Sequence, residues 1–234
     1  MNREIFIDEV TKLGIKVTEE KLDKLDRYYE LLIEWNEKIN LTAITKKEDV
    51  YLKHFYDSLT LFKAFDLNKK IRVLDVGTGA GLPGIVLKIF FENIDITLVD
   101  ALSKRINFLN IVIDELKLKN IVAIHARMEE YARDNKESFD LVTSRAVAKL
   151  NVLNELCLPA LKVDGYFIPM KANIEDEIKQ SNNSLKILNS KIEKVVTFNL
   201  PFENSIRNLI VIKKNDTINN KYPRNFDKIK KNPL

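Results

Sequence analysis

The chain has 234 residues, 45% of them apolar and 31% charged, enough for one buried core with an appendage and ordinary for a globular protein. No run approaches the roughly 18–20 apolar residues of a membrane span. Met1 to Glu9 alternate charged and apolar residues without a signal-peptide pattern, and Cys157 is the single cysteine, which excludes an intrachain disulfide; a cytoplasmic monomer with no membrane association is expected. The net charge of +4 resides in the last 14 residues, KYPRNFDKIKKNPL, so the first 220 sum to zero and any affinity for phosphate must come from local patches.

Residues 1–67 read as a helical N-terminal extension. Leu22, Leu25, Tyr29, Leu32, Asn36 and Ile39 recur at steps of three and four, with Tyr28, Ile33 and Trp35 flanking them, which predicts an amphipathic helix. A second helix is expected over Val50–Phe65. Residues 68–214 form the expected α/β domain. Strands are predicted at Ile71–Val76, Asp95–Val99, Ile121–Ile124, Phe139–Thr143 and Gly165–Met170, with helices at Pro83–Phe91, Ser103–Leu118 and Asn151–Leu161. Strand–helix alternation at this spacing implies a doubly wound, Rossmann-like parallel sheet with its site at the carboxyl ends of the strands. Val195–Leu200 and Asn208–Lys213 are joined by too short a loop for a parallel crossover, so they should form an antiparallel hairpin. A parallel sheet ending in such a hairpin is the arrangement of class I methyltransferases, a likeness of fold that says nothing of substrate. Residues 215–234 read as a basic tail.

The main chemical signal is Val73-Leu74-Asp75-Val76-Gly77-Thr78-Gly79-Ala80-Gly81-Leu82-Pro83-Gly84. A strand delivers Asp75 to its end. Gly77, Gly79 and Gly81 then permit positive φ and close approach of a ligand, Leu82 follows, and a helix begins near Pro83. The stretch contains GxGxxG, the dinucleotide pattern, but four residues separate its first glycine from the strand's apolar run. A carboxylate at the strand end suits a ligand with an ammonium group, as in S-adenosylmethionine, and would repel a pyrophosphate. Asp100, 25 residues after Asp75 at the end of the second strand, could accept both ribose hydroxyls of either cofactor. Met128 and Glu129, after the third strand, could meet an adenine face and its amino edge.

Some acceptor chemistries lack their residues. Methylation of a pyrimidine at carbon 5 needs a cysteine nucleophile, and Cys157 lies in an apolar helical patch. The loop Thr143-Ser144-Arg145-Ala146-Val147-Ala148-Lys149 lacks the prolines usual in methylation of exocyclic amines. His54 and His125 stand apart from any nucleophile motif and read as structural, and no metal-ligand spacing appears. An acceptor that is already nucleophilic, such as ring nitrogen 7 of guanine, fits this set, because it asks only for orientation and placed charge. Arg145 could serve a phosphate, a guanine edge or the cofactor carboxylate. A methyltransferase of a small molecule or protein and a NAD-dependent oxidoreductase remain alternatives.

Several segments together resemble the bacterial family called glucose-inhibited division protein B, or RsmG. They are Glu34 to Thr42, Leu52 to Ser58, the glycine loop, Val99 to Leu109, Ser144-Arg145-Ala146, Pro169-Met170-Lys171-Ala172 and the ending from Tyr222-Pro223-Arg224 to Leu234. The resemblance implies S-adenosylmethionine-dependent methylation of nitrogen 7 of a guanosine in small-subunit ribosomal RNA, free or in the small ribosomal subunit. It implies cofactor contacts at Gly77, Leu82, Met128, Glu129 and Arg145, a ribose site at Asp100, Ala101 and Leu102, and RNA contacts at Lys104, Arg105, Arg145 and Lys171. Asn225-Phe226-Asp227-Lys228-Ile229 departs from the Pro/Gly-containing stretch expected after Arg224. Asn40, Asp57 and Ser58 read equally as packing or as site residues.

Overall fold

The computed structural model describes residues 1–145 and 147–234; Ala146, part of the loop and motif quoted above, lies outside the described residues. Helix α1 (Arg3–Lys12) is capped by Asn2, whose side chain accepts from the Ile5 N–H. Helix α2 (Glu19–Ile39) starts at Thr18, carries Glu19 and Glu20 in its first turn, and stops at Asn40, which takes a left-handed conformation with φ 49°. These are ordinary start and stop signals. The buried stripe is rotated from the expected one: Tyr28 and Leu31 are buried, whereas Tyr29 and Asn36 are half-buried. The cause is Tyr28, which stacks on Phe55 and reaches the glycine loop.

The second expected helix is broken into short pieces: α3 (Lys47–Val50), a wide π-helical turn Tyr51–Tyr56, α4 (Asp57–Leu59) and a 3₁₀ turn Thr60–Lys63. Changes of helical pitch free backbone carbonyls, a feature often found at functional positions.

The sheet has seven strands among the described residues: β1 (Arg72–Val76), β2 (Asp95–Asp100), β3 (Ile121–His125), β4 (Phe139–Arg145), β5 (Leu161–Lys171), β6 (Ser190–Asn199) and β7 (Ile206–Lys214), in the order β3-β2-β1-β4-β5-β7-β6. The first five are parallel, and β7 pairs antiparallel with both β5 and β6, which is the expected hairpin. Order reverses between β1 and β4, where an open α/β sheet parts its loops and forms a crevice. Helices α5 (Gly84–Phe90) and α6 (Ser103–Glu115), with α1 and α2, cover one face; α7 (Met128–Asp134), α8 (Leu150–Cys157) and α9 (Glu175–Ile187) cover the other.

The expected helix Asn151–Leu161 ends early, at Cys157, because Pro159 turns the chain through a short 3₁₀ segment into β5. The tail is packed: Tyr222 and Ile229 are buried on the α8 side, and α10 (Phe226–Lys231) follows Asn225.

Candidate cofactor and acceptor site

The carboxyl ends of β1, β2 and β4 meet at the glycine loop. The Gly77 and Thr78 N–H groups donate to Val99 O at 2.9 and 3.2 Å, which splices the loop to the end of β2. Gly77, Gly79 and Gly81 all have positive φ. A side chain at Gly77 would press to 2.7 Å from Val147, so the loop after β4 lies directly over that glycine. From below, the buried hydroxyl of Tyr28 donates to Ala80 O. Leu82 is buried and Pro83 holds the N-cap of α5, one position before its expected place in the first turn.

Asp75 is fully buried beneath this loop. Its Oδ2 accepts from Thr78 Oγ1 at 2.6 Å and from the Gly84 N–H at 2.9 Å, while Oδ1 has no partner among the described residues. Burial pushes the Asp75 carboxyl up to about 6, only partly opposed by those two bonds and by Arg145. A buried carboxylate oxygen without a donor is chemically suited to a ligand ammonium.

Asp100, also buried, accepts through Oδ2 from the Gly79 N–H at 2.9 Å and through Oδ1 from the Leu102 N–H at 3.0 Å. The Arg105 guanidinium sits 3.1 Å from its Oδ2. Asp100 borders a cavity of about 270 Å³ whose lining includes Val76, Gly77, Ala101, Met128 and Glu129. The cavity is mainly apolar, and Glu129 is buried at its edge. A second groove, about 420 Å³, runs past Ala101, Leu102, Lys104 and Arg105 to Ile39 and His125. Leu102 is 53% exposed there. Gly77, Asp100, Ala101, Leu102, Met128 and Glu129 thus line these two cavities at the carboxyl ends of the strands, while Asp75, Gly79, Gly81 and Leu82 belong to the loop beside them and line neither.

On the acceptor side Arg145, at the end of β4, is turned toward the N-terminal segment. It donates to Asp57 Oδ2 at 3.1 Å and to Lys53 O, in the π-helical turn, at 3.2 Å. Arg207, at the start of β7, holds the other Asp57 oxygen at 3.1 Å. His54 is buried beside them, its Nε2 2.8 Å from Thr42 Oγ1. Burial, and then Arg145, lower its imidazole to about 4, so it is neutral near pH 7. Ser58 donates to His54 O and Asn40 serves as the α2 cap, so both have structural work. Lys171 is committed to Ala148 O at 2.8 Å and Glu177 at 2.7 Å, and only Lys104 among the expected RNA-contacting cations is exposed and without an ion pair among the described residues. Cys157 is fully buried with its thiol pushed up, which removes it as a nucleophile. Sequence patterns missed Tyr28, Val147 and Arg207, whose roles depend on partners distant along the chain.

Residues 21–210 match the family described as rRNA small subunit methyltransferase G. Proteins named ribosomal RNA small subunit methyltransferase G from Bacillus licheniformis and Staphylococcus carnosus are 47% and 43% identical, each over 100% of this chain and 99% of their own length. The chain belongs to the rRNA small subunit methyltransferase G family. Among solved structures it resembles a precorrin-6y C5,15-methyltransferase from Geobacter metallireducens (16% identity, TM-score 0.52, 73% of this chain and 90% of that one). It also resembles M. jannaschii TYW2 in complex with AdoMet (20% identity, TM-score 0.51, 64% of this chain and 70% of that one). These likenesses show the fold, that of the S-adenosylmethionine-dependent methyltransferases, and membership of the family makes this chain one of them. The chain's own residues fit that cofactor: Asp75 has an oxygen unpartnered among the described residues, Gly77 leaves no room for a side chain, and an apolar cavity opens beside Asp100.

Proposed function

We propose that the protein methylates ring nitrogen 7 of a guanosine in small-subunit ribosomal RNA. The observation that carries the acceptor is the match of residues 21–210 to the family, and the buried carboxylates Asp75 and Asp100 beside the glycine loop support the donor. When bound, S-adenosylmethionine supplies a methyl group on a positively charged sulfur. Asp75 would hold the ammonium of the methionine part, and Asp100, with Ala101 and Leu102, the ribose. Gly77, Gly79, Gly81 and Leu82 shape the loop between them, and Met128 and Glu129 would hold the nucleoside end. Guanine nitrogen 7 carries a free lone pair and loses no proton, so the acceptor side needs no general base; the neutral His54 and the buried Cys157 agree with that.

Lys104 and Arg105 border the groove where the RNA backbone would pass. Arg145 and Lys171 would reach the RNA, or Arg145 the cofactor, by giving up their present partners, Asp57 and Lys53 O for Arg145 and Ala148 O and Glu177 for Lys171. We assign residues 1–67 to a helical extension, 68–214 to the methyltransferase domain and 215–234 to a C-terminal tail, and the protein to the cytoplasm as a monomer; no helix among the described residues is long and apolar enough to cross a membrane.

The test is incubation with methyl-labelled S-adenosylmethionine and small-subunit RNA lacking the modification, followed by borohydride–aniline cleavage, which cuts at 7-methylguanosine. Label with one new cleavage site is expected. Label without cleavage refutes the nitrogen-7 assignment. No label on RNA or subunits, with S-adenosylhomocysteine still bound, points to a small-molecule or protein acceptor.

A further inference from the structure

The apolar cavity beside Asp100 has a wall that the glycine loop and strand ends do not supply. Phe226, the first residue of α10, lines it together with Met128, Glu129 and Val147. We propose that the C-terminal tail is part of the cofactor site, with Phe226 packing against the nucleoside end of the bound cofactor.

The anchoring of the tail supports this reading. Arg224 grips Glu155 on α8 three times: its N–H and Nε donate to Oε1 at 2.9 and 2.7 Å, and NH2 donates to Oε2 at 2.6 Å. Glu155 is fully buried, so this is a fixed attachment and not a surface pairing. Ile229, one helical turn beyond Phe226, is buried in the same face as Leu153 and Leu156. From the other side Arg133 donates to Pro223 O at 3.2 Å and to Asn225 Oδ1 at 2.9 Å. Arg133 belongs to α7, the helix whose first two residues, Met128 and Glu129, face the cavity. One short helix therefore both lines the cavity and holds the residue before Phe226. Phe226 itself stays half-buried, with ring surface left for a ligand.

Two consequences follow from linkage. A ligand in the cavity must tighten the tail, and a docked tail must raise affinity for the ligand by the same factor. The basic residues Lys228, Lys230 and Lys231 ride on α10 with Asp227, so the helix that lines the nucleoside cavity also carries part of the chain's excess positive charge.

The inference rests on the cofactor reading, and the experiment separates the two. Binding of S-adenosylhomocysteine and of 5′-methylthioadenosine is measured calorimetrically, without RNA, for the full chain and for Phe226→Ala, Phe226→Leu and Lys230→Gln. Phe226→Ala is expected to weaken both ligands by about tenfold, the loss for giving up roughly 60 Å² of apolar contact. Phe226→Leu should recover most of it, and Lys230→Gln should bind as the parent does. Hydrogen exchange over residues 219–234 should slow when either ligand is added, a readout that a purely structural tail would not move. Unchanged affinity in Phe226→Ala, or exchange in the tail indifferent to ligand, overturns the proposal. A loss confined to S-adenosylhomocysteine also overturns it, since the contact would then lie at the amino-acid end. If the parent protein binds neither ligand, the cofactor reading itself fails.

Discussion

Asp57 is one point at which the N-terminal segment is held to the sheet, and Asp57→Asn tests how much that contact is worth. The carboxylate is 5% exposed and faces two guanidiniums, Arg145 at 15% and Arg207 at 21% exposure, each at 3.1 Å. At charge separations near 4 Å and an effective dielectric of about 20, each attraction is about 4 kcal/mol before desolvation. Removing one partner of a buried pair typically costs about 3–5 kcal/mol. The lower end applies here because both cations keep other acceptors: Arg145 has Lys53 O, and Arg207 has Ser205 Oγ and Ile206 O. We therefore expect a loss of about 3 kcal/mol, or a fall in Tm of roughly 6–12 °C for a protein of this size. Urea denaturation of Asp57→Asn, Arg207→Gln and the double variant measures it, with a coupling of at least about 1 kcal/mol expected between the two sites. A loss below about 0.5 kcal/mol, or strict additivity, would refute the claim that this ion triad fastens the extension.

The pH dependence of ligand affinity tests Asp75. Its folded-state pKa of about 6 lies above the ordinary 3.8, so folding favours the protonated form and this group's contribution to stability falls as pH rises from about 4 to 6. A cofactor ammonium favours the ionised form, so affinity for S-adenosylhomocysteine should climb through about pH 6 and flatten in Asp75→Asn; a flat titration of the parent protein between pH 5 and 7 would show that Asp75 does not face the ammonium. Gly84→Ala would place a methyl 2.2 Å from Leu98 Cδ2 and 2.8 Å from Asp75 Oδ2. It should cost about 1–3 kcal/mol in urea unfolding by overpacking, together with weaker cofactor binding. Arg224→Ala leaves the Glu155 carboxylate buried without its cation and should cost about 3–5 kcal/mol, part of which Glu155→Gln in the same chain should restore if the penalty is electrostatic.

Much of the architecture was legible because it is local. The alternation of β-branched runs with amphipathic segments predicted β1 to β5, and the loop through Pro201 predicted the hairpin, since chain length alone forbids a parallel crossover there. The glycine loop with Asp75 and Asp100 could be read as a nucleoside-cofactor site because those acids stand near the carboxyl ends of β1 and β2, which pair as neighbours in the sheet. Helix α9 escaped notice because small polar residues fill its buried face: Ser181 and Ser184 are buried, and Ser184 accepts from Asn154. The family resemblance carried the functional assignment further than residue chemistry did, because nitrogen 7 of guanine needs no nucleophile or base whose motif could be seen.

Three features were decided only by the tertiary structure. Arg145 faces Asp57 across 88 positions and Arg207 meets it across 150, brought together by a π-helical turn that no periodicity announces. Tyr28 supports Ala80 from beneath. The tail, whose composition reads as basic, is fixed by Arg224 to a buried glutamate and sets Phe226 at the apolar cavity beside Asp100. Sequence patterns report the period with which side chains face a surface, a property of neighbours along the chain. Which residues meet across that surface depends on the order in which separate elements stack, and for a buried charge that pairing decides whether it stabilises the fold or costs it.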